Sequence, residues 1–196
     1  MPHYRHHDKE LLHIHVPKTG GTSITKAVEY HDGLVSFMRK APLRQCGNVP
    51  PQHMSIEYTK KFFDLKKVPS FALIRHPWHK LVSEYVWDMK RANWHTNDLE
   101  KFIKVRLASK DYTRYANHFL PQHKFVNKDV KLFRYDQYDK AVEYVGDVLE
   151  FQNFTCEFVE GRRITYDVPS INIVGPSAKK MYETLYAKDL DLYHSL

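Results

Sequence analysis

Residues 15–23 combine the residue types that bind a phosphate group. They read HVPKTGGTS, with a lysine, two adjacent glycines and three hydroxyl side chains. Glycines let the backbone approach an anion closely, and the start of a following helix presents free N–H groups at the positive end of its dipole. Lys18, Thr22 and Ser23 would add side-chain donors. The segment therefore predicts an anion-binding loop between a strand and a helix.

The order of residues in this loop differs from that of the ATP-binding loop GxxxxGK[ST]. There the lysine directly precedes a Ser or Thr at the helix start, whereas Lys18 precedes both glycines. This order disfavours ATP. Taken alone, the loop leaves a second interpretation open, a Gly-Gly turn whose polar side chains only cap a helix.

Residues 75–85 (RHPWHKLVSEY) form a second anion-binding segment. Arg75 ends an apolar run, and Ser83 lies about two turns into the helix that Pro77 begins. The planar fork of an arginine matches the oxygens of a phosphate, and a serine nearby adds another donor. Either residue alone could simply connect a strand to a helix, so the prediction of an anion-binding site rests on Arg75 and Ser83 together.

Together, PKTGGTS and RHPxxxxxSxY resemble the donor-binding segments of sulfotransferases, with the closest likeness to the Golgi carbohydrate enzymes that act on heparan and chondroitin. The first resembles the 5′-phosphosulfate loop of that family, and the second its 3′-phosphate site. The resemblance implies 3′-phosphoadenosine 5′-phosphosulfate (PAPS) as sulfuryl donor, adenosine 3′,5′-bisphosphate (PAP) as product, and no metal ion. The donor-binding residues that it implies are Lys18, Thr19, Gly20, Gly21, Thr22, Ser23, Arg75 and Ser83.

The same resemblance places the catalytic base at His53, in the segment VPPQHMS between the two donor sites. A histidine whose pKa lies near the working pH can take the proton from an attacking hydroxyl. The chain has 13 histidines, so His53 is chosen by position, and His15 is a competing candidate. Lys18 is assigned a second role, stabilising the leaving phosphate.

Two weaker likenesses lie further along the chain. Residues 118–122 (HFLPQ) resemble an HxxPQ segment near the acceptor side of these enzymes, although a proline that ends a helix with a capping glutamine explains them more economically. Residues 161–163 and 169–172 lie where the family has a loop that covers the nucleotide. A flexible basic loop without that function would have the same sequence features.

The pattern of apolar residues predicts the elements that position these segments. Strands are expected at residues 11–16, 71–75 and 130–136, and helices at 22–30, from Pro77 onward, 98–108, 112–119, 138–149 and 177–192. Such alternation predicts an α/β, P-loop-like, three-layer fold with a central, mainly parallel sheet flanked by helices. Ligands of such sheets bind beyond the carboxyl ends of the strands. We expect one domain over residues 1–196, with residues 1–10 as a flexible tail whose histidines bind no metal.

Composition limits the partners. A formal net charge of +7 favours anionic ligands, and two cysteines in a chain without a signal peptide or an apolar membrane span predict a soluble, cytoplasmic protein. The sulfuryl acceptor would be a hydroxyl or amine of a small molecule, glycan or peptide, with a carbohydrate as the narrower expectation. The alternatives are a small-molecule P-loop kinase and a non-catalytic nucleotide- or RNA-binding module. No RNA-recognition signature is present, so no nucleic-acid partner is expected.

Overall fold

A five-stranded sheet organises the chain. The structure, a computed structural model, describes residues 1–38, 41–91, 93–156 and 167–196. The strands are β1 (His3–His6), β2 (Lys9–His13), β3 (Leu34–Ser36), β4 (Ser70–Ile74) and β5 (Lys131–Arg134). The helices are α1 (Gly21–Tyr30), α2 (Ile56–Thr59), α3 (Pro77–Lys90), α4 (Leu99–Ala108), α5 (Tyr138–Leu149) and α6 (Pro176–His194).

The sheet is mixed. Its strand order is β3-β1-β2-β4-β5, with β2 parallel to β4 and β4 parallel to β5, whereas β1 is antiparallel to both β2 and β3. The expectation of an α/β fold is met, but a mainly parallel sheet is not confirmed. The parallel part carries the anion-binding segments, since one follows β2 and the other follows β4.

The antiparallel part corrects the expectation of a flexible tail at residues 1–10. These residues form a hairpin in which His3 pairs with Leu12 and His6 with Lys9, and the Tyr4 side chain is fully buried. The histidines made the segment read as polar and solvated. In the structure their rings pack on aromatic neighbours, as His6 does on Phe151.

Alternation along β4 directs side chains to both faces of the sheet. Phe71 and Leu73 pack in one apolar cluster with α1 and α5, and Ala72 and Ile74 pack in a second cluster on the other face. A third cluster joins α3, α4 and α6. The helix expected at 112–119 is instead a single 3-10 turn, Tyr112–Tyr115, which ends where Ala116 turns left-handed.

Among the described residues, no helix is both long and apolar enough to cross a bilayer. The expectation of a single domain over the whole chain stays a prediction.

Candidate active site

A cleft of about 530 Å³ opens at the carboxyl ends of β2 and β4. Both anion-binding segments contribute to its wall, as the topology of the parallel strands requires. Of the predicted site residues, the cleft is lined by Lys18, Gly20, Gly21, Thr22, His53, Arg75 and Ser83. It is also lined by residues that were not predicted, among them His118, Trp87, Lys90, Arg91 and Tyr135.

Two predicted donor residues are not part of this lining. Thr19 is fully buried, and its hydroxyl donates to the carbonyl of Val16 at 2.8 Å, so its side chain shapes the loop. The backbone N–H of Ser23 donates to the carbonyl of Gly20 at 3.0 Å, as expected in the first turn of α1. The sequence motif does not determine in which direction the side chains of Thr19 and Ser23 point. The rotation of the helix start about its axis decides which hydroxyl groups face the cleft.

The two glycines meet different requirements. Gly20 precedes α1 with a φ of 84°, in the left-handed region that favours glycine. Gly21 lies under two histidine rings, and a Cβ there would come within 2.5 Å of the His15 ring and 2.6 Å of the His13 ring. The helix start is therefore closely packed beneath the cleft.

We expect Gly21→Ala to destabilise the fold by about 1–3 kcal/mol, because the added methyl group must displace a buried ring or the backbone. Chemical denaturation would measure the change. Lys26→Ala, at an exposed position of the same helix, should stay within about 0.5 kcal/mol of the parent. A Gly21→Ala protein as stable as the parent would contradict the packing described here.

Lys18 occupies a strained position at the cleft. Its φ is 67°, which is uncommon for a residue with a side chain. Its ammonium group lies 4.2 Å from the centre of the Trp87 ring. Burial lowers the pKa of Lys18, and this effect outweighs the negative charge of Glu84, which raises it. The loop thus holds a partly desolvated cation beside the cleft.

Arg75 reaches back to the same loop. Its Nη1 donates to the carbonyl of Lys18 at 3.1 Å, and its guanidinium group lies 4.5 Å from the centre of the Tyr135 ring. Gln122 holds its backbone on both sides, accepting from the N–H at 3.0 Å and donating to the carbonyl at 2.7 Å. The glutamine of the HFLPQ segment therefore positions the arginine, a role that neither interpretation of that segment included.

Asp189 of α6 holds Gln122 in turn. This carboxylate is fully buried and accepts from the backbone N–H of Gln122 at 2.6 Å and from that of His123 at 3.0 Å. The chain of contacts from Asp189 through Gln122 fixes where Arg75 stands, so α6 supports the cleft without lining it.

His53 lies in a short 3-10 helix, Pro51–His53, with its ring facing the cleft. Its Nδ1–H donates to the carbonyl of Ala116 at 3.1 Å, which leaves Nε2 with a lone pair. Burial, followed by the charges of His118 and His15, lowers the pKa of His53 well below 6.5. The ring is therefore neutral near pH 7, as a proton acceptor must be.

Four histidine rings form a row through this region. Their centres are separated by 5.3 Å from His13 to His15, 5.2 Å from His15 to His53, and 4.8 Å from His53 to His118. Burial lowers the pKa of His15 to about 3 and lowers that of His53 in the same direction, so basicity does not separate the two candidates. Hydrogen bonding does, because Ala116 orients the His53 ring, whereas the buried Nδ1 of His15 has no hydrogen-bond partner among the described residues.

The charge of the cleft wall is cationic. Lys18 and Arg91 both lie against the Trp87 ring, and Lys90 is close by, whereas no carboxylate lines the cleft in the described part of the chain. No cluster of side chains suited to a metal ion occurs in that part either. A wall of this charge is electrostatically complementary to a small anion of several charges.

The loop expected to cover the nucleotide consists of two parts, residues 161–163 and 169–172. Residues 161–163 lie outside the described residues. Pro169 packs near α3, where its carbonyl accepts a hydrogen bond from the Trp78 indole at 2.6 Å.

The residues of α3 that were not predicted share a helical spacing that the sequence does contain. They are Lys80, Glu84, Trp87 and Arg91, which follow one another at intervals of three or four residues.

Comparison with protein-family models supplies an independent finding. A model described as the sulfotransferase family matches residues 3–165, a range that includes both anion-binding segments and His53. Neither the comparison with curated proteins nor that with solved structures found a match.

Proposed function

We propose that this chain, which belongs to the sulfotransferase family, transfers a sulfuryl group from PAPS to a hydroxyl or amine of an acceptor. One observation carries the proposal. Arg75 and Lys18, from segments far apart in the sequence, meet in one cleft, where the guanidinium group of Arg75 bonds to the Lys18 carbonyl at 3.1 Å. Two phosphate-binding elements side by side suit a donor with phosphates at two positions.

The cleft also fits such a donor in size and charge. Its volume, about 530 Å³, lies within the range of roughly 300–1,000 Å³ that is usual for small-molecule sites. The glycine-bearing start of α1 and the cations Lys18 and Arg75 face it, and its described lining holds no acidic side chain that would repel phosphate or sulfate.

We assign roles to the residues as follows. Lys18 and the loop amides bind the 5′-phosphosulfate and stabilise the charge that develops on the leaving phosphate oxygen. Thr22 contacts the 5′-phosphate, a role that Ser23 does not share because it is not part of the lining. Arg75 and Ser83 bind the 3′-phosphate.

His53 completes the reaction as the general base. Its neutral Nε2 takes the proton from the acceptor while the acceptor oxygen or nitrogen attacks sulfur in line with the leaving phosphate. No step of this scheme requires a metal ion. A carbohydrate acceptor is the narrower form of the proposal, and it rests on the sequence resemblance to the Golgi enzymes. A turnover screen with sugars, phenols, amines and tyrosyl peptides tests it.

The 3′-phosphate contact gives the first functional prediction. Arg75→Ala should weaken PAP binding roughly tenfold to a hundredfold, the effect of losing about 1.5–3 kcal/mol from a charge-assisted contact. Its affinity for AMP, which lacks the 3′-phosphate, should change little. Arg75→Lys keeps the charge but not the planar fork, so its affinity for PAP should lie between those of the parent and Arg75→Ala.

Isothermal titration with PAP, AMP, ATP and a short RNA measures these affinities, with Arg5→Ala, at an exposed position of β1, as the control. Equal affinity of the parent protein for PAP and AMP would contradict the proposed function. Tightest binding of ATP would favour a kinase, and tightest binding of RNA a nucleic-acid module.

A further inference from the structure

Two buried charges on α3 converge on one residue of a neighbouring segment. Lys80 and Glu84 are one helical turn apart and nearly inaccessible to solvent. The Lys80 ammonium group donates to the backbone carbonyl of His118, and the Nδ1–H of His118 donates to a Glu84 carboxylate oxygen at 2.8 Å. Buried charges are costly unless they are paired. Here the pairing fixes the backbone and the ring of His118 together.

His118 stands between two cavities. It lines the donor cleft with His53, and it also lines an adjoining pocket of about 410 Å³ that Glu84, Asp88 and Arg106 help to form. His53 lines the donor cleft and does not line this adjoining pocket. The rings of His53 and His118 are in edge-to-face contact, with their centres 4.8 Å apart.

We propose that His118 is the final acceptor of the proton released in the reaction, receiving it from His53 and holding it against the carboxylate of Glu84. This inference rests on the sulfuryl transfer proposed above. Glu84 and Lys80 act through His118, so they are positioning residues.

The transfer balances in protons and electrons. The acceptor O–H (or N–H) bond breaks as its oxygen or nitrogen bonds to sulfur, and the S–O bond to the 5′-phosphate breaks with its electron pair remaining on the phosphate oxygen. His53 Nε2 takes the proton and passes it to His118 Nε2. Both Nδ1 hydrogens are already committed, to Ala116 and to Glu84, so only the Nε2 atoms can exchange it. No oxidant or reductant is needed.

The two rings have different hydrogen-bond partners. The Nδ1–H of His53 faces a neutral carbonyl, and burial disfavours an imidazolium there, whereas His118 faces a carboxylate. Burial raises the pKa of Glu84, but His118 and the nearby cations bring it below its usual value, so Glu84 is ionised. The charged and titratable groups around His118 are Lys80 and Glu84, His15 and Lys18, His53, and, in the adjoining pocket, Asp88, Arg106 and Arg114.

The experiment compares the single-turnover rates of Glu84→Gln and His118→Gln with that of the parent protein. The rate is measured as the release of PAP from PAPS, with either water or the acceptor identified by the screen. Each change should lower the rate roughly tenfold to a hundredfold. PAP affinity should stay within about threefold, and His79→Gln, on an exposed position of α3, should match the parent.

The pH profile separates a proton-accepting role from a structural one. In the parent, the rate falls as the pH drops through the lowered pKa of His53. Removing the negative charge of Glu84 disfavours a proton on the nearby rings, so the limb in Glu84→Gln should move to lower pH. Because both histidines act in one relay, His53→Ala with His118→Gln should be no slower than the slower single variant.

Parent-like rates with an unmoved pH limb in the His118→Gln and Glu84→Gln proteins would overturn the inference, and so would fully additive losses in the double variant. If Glu84→Gln does not fold, His118→Gln alone decides by its rate and pH limb. Failure of the parent to bind PAP or to turn over PAPS would instead reject the proposed function.

Discussion

His53→Ala should lose roughly a hundredfold to ten-thousandfold in the single-turnover rate of sulfuryl transfer, the usual contribution of a general base. The reason is the geometry at Nε2. The bond from Nδ1–H to the Ala116 carbonyl fixes the tautomer that keeps a lone pair on the cleft side of the ring. Affinity for PAP should remain within about threefold, because the donor contacts are assigned to other residues.

The pH dependence of the parent follows from the direction of the pKa shift. The neutral ring is the active form, and burial lowers the pKa of His53 well below 6.5. The rate should therefore be flat near neutral pH and fall only as the pH drops through that lowered pKa. Single-turnover measurements from pH 4 upward, on protein shown to stay folded there, would reveal this limb.

His15→Ala is the necessary comparison, because this ring is the alternative base and abuts the loop. The buried Nδ1 of His15 has no hydrogen-bond partner among the described residues to fix its tautomer as Ala116 does for His53, so His15→Ala should keep the low-pH limb of the parent. A His53→Ala protein with nearly full single-turnover activity and an unchanged limb would show that the base lies elsewhere.

Lys18→Ala should lower turnover by roughly a hundredfold to a thousandfold, while PAP binding weakens much less. The leaving phosphate oxygen gains charge in the transition state, and Lys18 is a partly desolvated cation in the loop assigned to that end of the donor. An interaction that strengthens during the reaction affects the rate more than the affinity for product.

Turnover and PAP affinity should be measured on one preparation. Lys90→Ala is a charge-matched comparison, because it removes a cation from the cleft wall outside the loop, and its effects on rate and affinity should be small and similar. If Lys18→Ala lost as much affinity as rate while staying folded, Lys18 would be a simple anchor for the donor.

Local sequence patterns predicted much of the framework. The loop before α1, the strand before Arg75, and α3, α4, α5 and α6 were all expected near their observed positions, since each depends on apolar spacing and turn residues close in sequence. The strand expected at residues 11–16 overlaps β2, whereas β1 and its hairpin were missed because histidines and charged residues make residues 1–10 polar in a hydropathy pattern.

The contacts that orient the site could not be predicted in the same way. Asp189 holds Gln122 across 67 residues, and Glu84 holds His118 across 34. No local propensity encodes such pairs, because they depend on how α3 and α6 pack. Thr19 shows a further limit, since the motif predicts it as a donor-binding residue while its buried hydroxyl donates to the backbone carbonyl of Val16.

The dependence of Arg75 on α6 has a consequence for biosynthesis. The arginine and its loop leave the ribosome long before Asp189, the residue that secures Gln122 beside them. Although the sheet and α1 can form early, the proposed donor site cannot reach its final geometry until α6 has been synthesised and has docked. A nascent chain should therefore acquire its central structure first and the final geometry around Arg75 only after α6 has docked.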